Sequence, residues 1–253
     1  MKIRFLGTGT STGVPQIGCG CEVCRSSDPR DRRLRSSIMV KVKGKQLLID
    51  GSPDLRQQMM PLPFRKIDGV LLTHEHYDHV GGIDDLRPFS VFGTIDLYME
   101  EDLEHVLRER MPYCFSEHKY RGVPDLTIHK ISPFEPFYIG EVAIIPVRVM
   151  HYRLPILGYR IGNFAYLTDV KTLPEATIEK LKHIDTLVIS ALRKTEHISH
   201  QTLEQALCAI DRIAPKKAYL THLCHEMGLH REVEMKLPEN VRIAYDGLEF
   251  SVK

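Results

Sequence analysis

Polar and apolar positions alternate from the first residues: Lys2-Ile-Arg-Phe-Leu6 reads as a strand that stops at the glycine-rich stretch Gly7–Gly13. Lys41–Asp50 predicts a hairpin turning at Gly44, whose second strand is apolar and ends in an acid, and Lys66–Thr73 predicts another short strand. Asp102–Arg110 has helical composition and stops before Met111-Pro112. Further on, Glu141–Val149, Asn163–Thr168, Thr186–Ser190, Lys217–Thr221 and Val241–Tyr245 predict strands, with helices over Pro174–His183 and Gln201–Ile213 among them. Leu203, Ala206, Leu207 and Ile210 fall on one face of the latter helix, and Ser199 is its expected cap. An early meander followed by alternating strands and helices implies an α/β chain, with residues 1–253 read as one domain. Asp50, His74, Asp169 and His222 each sit at or just past a strand's carboxyl end, where sites in α/β proteins collect.

Composition narrows the options. Lys and Arg number 34 against 33 Asp and Glu, so the net charge of +1 offers no bulk electrostatic grip on nucleic acid. A hydrophobic fraction of 43% with so little net charge excludes a disordered chain. No apolar run approaches the ~20 residues a membrane span needs, and the N-terminus does not read as a signal peptide, so a cytoplasmic location is expected. In such a reducing compartment, three of the six cysteines crowded at Cys19, Cys21 and Cys24 read as a metal site rather than a disulfide framework.

The strongest chemical signal is Thr73-His74-Glu75-His76-Tyr77-Asp78-His79, three imidazoles and a carboxylate in a loop straight after a strand. Imidazole nitrogen and carboxylate oxygen suit Zn, Mn or Fe. The loop alone completes no coordination sphere. His151, Asp169 and His222 follow later strands and fill two: His74, His76 and His151 around one ion, Asp78, His79 and His222 around the other, with Asp169 bridging. Asp50 and Asp246 are candidate acceptors that orient ligand imidazoles. In the second signal, Gly18-Cys19-Gly20-Cys21-Glu22-Val23-Cys24, three thiols at C-x-C-x-x-C spacing lack one ligand for a tetrahedral zinc, which His225 or Cys224 can supply.

Together these motifs resemble the metallo-β-lactamase superfamily, whose signature His-x-His-x-Asp-His with later His, Asp and His is filled here in order. The resemblance covers nearly the whole chain and implies a four-layer αββα sandwich with a dinuclear site at one edge of the paired sheets. The cysteine cluster resembles the phosphodiesterase branch, in particular the phosphoribosyl cyclic phosphate phosphodiesterases of phosphonate breakdown. That likeness implies a structural zinc on Cys19, Cys21, Cys24 and His225, leaving Cys224 spare, and a histidine matching His200 that protonates the leaving group.

The expectation is a hydrolase with two divalent ions, Zn or Mn, and one structural Zn, acting on a small phosphodiester. A hydroxide held between the ions attacks phosphorus, with His200 and Asp78 as catalytic residues. Membrane partners are excluded and a homodimer is allowed. Two alternatives stand beside it. A tRNA 3′-end endonuclease of the same superfamily carries a protruding arm, and no long glycine- and lysine-rich insertion is present. A non-catalytic binding protein resembling the coenzyme PQQ-biosynthesis members has less use for a complete ligand set.

Other features are expected to be ordinary. Gly7–Gly13 lacks the spacing and the lysine of a phosphate loop and is expected to let the first hairpin turn tightly. Arg30-Asp-Arg-Arg-Leu-Arg35 is expected to be a solvated face, His197 to stand behind the ligand residues or be exposed, and His105, His118, His129, His183 and His230 to be surface residues. Pocket walls are expected from Asp84–Tyr120 and Tyr152–Arg160, with Arg87, Tyr152 and Arg160 offered to a phosphate on charge alone.

Overall fold

The computed structural model describes residues 1–116 and 122–253. His118 and the end of the expected wall stretch at Tyr120 lie outside the described residues. Strands β1 (Lys2–Gly7), β2 (Ser37–Val42), β3 (Lys45–Ile49), β4 (Gly69–Leu71), β5 (Ile95–Met99) and β6 (Leu126–Lys130) build the first sheet. Then β7 (Phe137–Ile139), β8 (Val142–His151), β9 (Leu154–Ile161), β10 (Phe164–Leu167), β11 (Thr186–Ser190), β12 (Lys217–Thr221) and β13 (Val241–Ile243) build the second, and β14 (Glu249–Ser251) returns to pair with β1. The expected meander is the antiparallel run β1-β2-β3, after which β4, β5 and β6 add in parallel. In the second sheet β7-β8-β9-β10 are antiparallel, while β10, β11, β12 and β13 run parallel.

Successive strand residues point to opposite faces, and here both faces are dry. In β3, Leu47 and Ile49 enter one apolar cluster and Leu48 another; in β11, Val188 parts from Leu187 and Ile189 in the same way. The cluster between the sheets joins Ile3, Phe5, Val40 and Ile49 to Leu157, Tyr159, Phe164 and Tyr166. Outside the first sheet, Leu48, Val70 and Leu97 meet Leu103 and Leu107 of the helix Glu101–Arg110. Outside the second, Val149, Leu167 and Ile189 meet Ile178 and Leu181 of Glu175–Leu181 and Ile210 and Ile213 of Leu203–Ile213. Helix, sheet, sheet, helix is the αββα sandwich of the metallo-β-lactamase type. Among the described residues no helix is long and apolar enough to cross a membrane.

Two local expectations are corrected. The cap of Leu203–Ile213 is Thr202, not Ser199: its hydroxyl accepts from the Gln205 amide at 3.2 Å while the Gln205 side chain accepts from the Thr202 amide at 3.0 Å, a reciprocal box. The Gly7–Gly13 stretch is no hairpin turn. Gly9 bridges to both Arg35 and Leu223, and at Gly7 a Cβ would stand 1.9 Å from the Arg35 carbonyl, so only glycine permits the approach.

Candidate metal centre

The predicted donors come together at the carboxyl edges of both sheets. Asp50 leaves β3, the His74–His79 loop leaves β4, His151 ends β8, Asp169 follows β10 and His222 follows β12. One group brings the ligand atoms of His74, His76 and His151 within 4.8 Å of one another, and a second does so for Asp78, His79, Asp169 and His222. Asp169 lies 3.1 Å from His79 Nε2, 3.2 Å from His222 Nε2 and 3.8 Å from His200 Nδ1, and it links the groups because its ligand atom also falls within 4.8 Å of those of His151 and His200. His200 packs against His151 and His222, with ring centroids 4.6 and 5.1 Å away. His197 stands behind it at 5.0 Å.

Three of the imidazoles, His74, His79 and His151, turn one nitrogen to the cluster and anchor the other. His74 Nδ1 meets the Thr73 hydroxyl at 2.9 Å, and its Nε2 lies 3.0 Å from His76 Nδ1. His79 Nδ1 meets Asp50 at 2.7 Å, and His151 Nδ1 meets the Ser199 carbonyl at 2.8 Å. Asp50 is in turn held by the Thr73 amide and hydroxyl at 2.9 and 3.0 Å. This outer set fixes ring tautomer and aim. Asp246, the other acid offered for that task, bonds Thr8 and the Leu34 amide instead.

The donor set fits a pair of cations. His79 Nε2, both ring nitrogens of His222 and His200 Nδ1 are buried without a hydrogen-bond partner among the described residues, which is costly unless something binds there. Burial alone would raise Asp78 and Asp169, yet His79 and His222 hold both carboxyls well below the usual range. Burial would likewise lower His79, yet Asp78, Asp169 and Asp50 raise it well above an ordinary histidine. The carboxylates draw positive charge to this point, as a metal site must. Burial, followed by repulsion from His222, pulls His200 down to about 3.

Backbone geometry was not legible in the pattern. Asp50, Asp169 and His222 leave their strands with φ of 61°, 51° and 56°, and Tyr152, next to His151, has φ of 57°. Left-handed backbone is unusual outside glycine and concentrates at functional sites. Here it turns the side chain at a strand's end across the sheet edge. Close approach does the rest, since the Gly82 amide bonds the Gly51 carbonyl at 2.8 Å where a Cβ would lie 1.9 Å from the Ser52 carbonyl.

Cys19, Cys21, Cys24 and His225 form a separate group, with His225 Nδ1 at 3.5 Å from Cys19 Sγ and 3.3 Å from Cys21 Sγ. His225 rather than Cys224 faces the thiols. The Cys24 amide, donating to Sγ at 3.4 Å, is the main cause that lowers the Cys21 thiol to about 6, while burial pushes Cys24 up to about 11. Behind this group the basic run is not a solvated face: Arg33 is buried and donates to Thr8, at 2.8 Å, and to the Ala244 carbonyl, at 2.6 Å. His230, expected at the surface, is buried beside it, its Nδ1 3.3 Å from Arg33. Arg87 is occupied by Asp84, and Arg160 by the carbonyls of Gly162 and Lys180, so neither is offered to a phosphate.

A four-layer sandwich with histidine and aspartate donors gathered at the carboxyl edges of its sheets defines a metallo-β-lactamase-type protein. The chain belongs to the β-lactamase superfamily, whose domain model matches residues 45–223. It is similar to a Porphyromonas gingivalis protein named octanoyltransferase, 45% identical over 251 residues, 98% of this chain and 51% of that protein. It is also similar to coenzyme PQQ synthesis protein B of Rhodopseudomonas palustris, 30% identical over 62% of this chain and 54% of that one. The chain thus spans about half the length of these curated relatives. Among solved structures, a diphosphatase of the PhnP family is 38% identical with a TM-score of 0.92, covering 100% of this chain and 98% of that one. Zinc-bound PqqB of Methylobacterium extorquens, 19% identical with a TM-score of 0.81 and full coverage of both chains, shares the fold.

Proposed function

We propose that the chain is a metal-dependent phosphodiesterase in which His74, His76 and His151 hold one divalent ion, Asp78, His79 and His222 a second, and Asp169 both. The observation that carries this reading is the gathering of these seven donors into two adjacent groups, several of them aimed by a partner or left buried without one. The likeness to a diphosphatase over the full length supports a phosphorus–oxygen bond as the target. When bound, the cations supply a polarised water and neutralise charge on the phosphoryl oxygens. In the reaction water adds to phosphorus and releases a proton, the bond from phosphorus to the departing oxygen breaks, and that oxygen takes up a proton. His200, neutral at rest beside Asp169, would accept the proton of the water and pass it to the departing oxygen. Asp78, held ionised, serves as a ligand and a fixed negative charge rather than as an acid. Cys19, Cys21, Cys24 and His225 hold a structural zinc that ties down the loop before β2.

Protein purified without chelator is expected to carry three metal equivalents by elemental analysis, one at the thiols and two at the histidine and aspartate groups. It is expected to hydrolyse bis(p-nitrophenyl) phosphate with Mn or Zn. Turnover that survives complete metal removal overturns the reading. A second reading draws on the relative named octanoyltransferase, about half of which is matched here. It predicts release of octanoate from an octanoyl thioester at a rate above that on the phosphodiester, which the same preparation tests.

A further inference from the structure

His200 is held differently from His74, His79 and His151. Among the described residues nothing anchors its ring from behind: Nδ1 is buried without a hydrogen bond, 3.8 Å from Asp169. The ring packs only against other imidazoles, those of His151, His197 and His222. Its aim is therefore set by its main chain. That main chain belongs to the connection between β11 and the helix Leu203–Ile213, where residues 195–200 lie in no helix or strand. Carbonyls outside a ladder have to find their donors elsewhere.

Here the donors are side chains. Arg193 donates to the Glu196 carbonyl at 2.8 Å, and His151 Nδ1 meets the Ser199 carbonyl at 2.8 Å. The carbonyls of His197 and His200, three residues apart, both go to Lys171, whose ammonium donates to them at 2.8 and 3.3 Å. Its carboxylate partner Glu196, at 3.3 Å, is 72% exposed, so solvent weakens that pair and the two carbonyls are what the ammonium holds. The base of Lys171 is fixed as well. It stands two residues after Asp169, its amide donates to the Met150 carbonyl beside His151 at 2.8 Å, and the Gln201 amide donates to the Val170 carbonyl at 2.8 Å. One side chain thus joins the segments that carry His151, Asp169 and His200.

We propose that Lys171 is a positioning residue for His200: its ammonium closes the turn from His197 to His200 and thereby sets where the His200 ring stands over Asp169. This rests on the phosphodiesterase reading, which gives His200 the proton transfer. Lys171 itself touches neither substrate nor water in the reaction.

Lys171→Met keeps the apolar stem and removes the ammonium. In metal-loaded protein, hydrogen exchange read by mass spectrometry is expected to speed up over residues 195–201 and not elsewhere, with all three metal equivalents retained. On bis(p-nitrophenyl) phosphate with Mn, kcat is expected to fall about tenfold with KM unchanged, a part of the roughly 10²- to 10⁴-fold that a positioned proton-transfer group supplies. Lys171→Arg, which keeps a charged donor, is expected to recover part of the loss. Lys171→Met combined with His200→Ala is expected to be no slower than His200→Ala alone, because the two residues act as one unit. Losses that multiply in the double variant overturn the inference, as do unchanged exchange over 195–201, loss of metal from Lys171→Met, or His200→Ala protein as fast as wild type. Wild-type protein that cleaves no phosphodiester with Mn or Zn overturns the phosphodiesterase reading itself.

Discussion

The two donor groups of this chain are built in opposite ways. The histidine and aspartate cluster stands on strand ends from both sheets, and its rings are aimed from behind by Asp50, Thr73 and the Ser199 carbonyl. The cysteine group stands on loops. Its contacts are almost all among the donors themselves, and the one helix it uses, Glu22–Arg25, has four residues, with Cys21 as its cap and Cys24 within it. A single segment serves both, because His222 faces one group and His225, three residues on, faces the other.

The largest expected effect breaks the first group. His76→Ala removes an exposed candidate donor on a sound scaffold, so the chain is expected to stay folded by circular dichroism while metal-dependent hydrolysis disappears. Next, Cys21→Ser is expected to release one zinc by elemental analysis and to lower Tm by about 10 °C, the equivalent of roughly 3 kcal/mol for a chain of this size. It should keep the other two metals. The same substitution leaving Tm untouched contradicts a structural role. Asp50→Asn weakens the aim of His79 and the Thr73 contacts behind His74, and is expected to cost about 10- to 100-fold in metal affinity or activity, measured by competition with a chelator.

The groups should also part company with pH. The Cys21 thiol, lowered to about 6 chiefly by the Cys24 amide, is thiolate at neutrality and protonates as pH falls through that value. Zinc affinity at the cysteines is therefore expected to weaken as pH falls through about 6, as a chromogenic chelator can follow. Metal-stripped protein at pH 7.5 should be alkylated at Cys21 before Cys24, whose thiol is raised to about 11 by burial; mass mapping that finds the reverse order refutes this. Smallest is Thr202→Ala, away from both groups, which is expected to remove about 1 kcal/mol and 2–4 °C through the lost cap.

Much of this was legible because chemistry and period coincide. Thr186–Ser190 and Lys217–Thr221 are continuous apolar runs bounded by polar residues, and both strands run exactly as long as the runs do. The donors after β4, β10 and β12 could be paired in advance because each follows a threonine at a strand exit. What escaped depends on contacts distant in sequence. β9 carries Pro155 and Gly158, which mask it as a strand; Gly158 is needed where Leu167 packs, 2.4 Å from where a Cβ would stand. Arg33 and His230 look solvent-bound in a polar run, and only the fold shows them buried together, 197 residues apart. Ser199 looked like a cap because its side chain suits one, yet its carbonyl serves His151 and the reciprocal pair Thr202 and Gln205 does the capping.

The left-handed exit at His222 carries a consequence for anyone who improves this protein. Glycine there relaxes the main chain by roughly 1 kcal/mol but removes a buried ring and a candidate donor, so a design rule that replaces every left-handed residue by glycine misleads at this position. Libraries aimed at durability should keep this position, with Asp50 and Asp169, out of the randomised set.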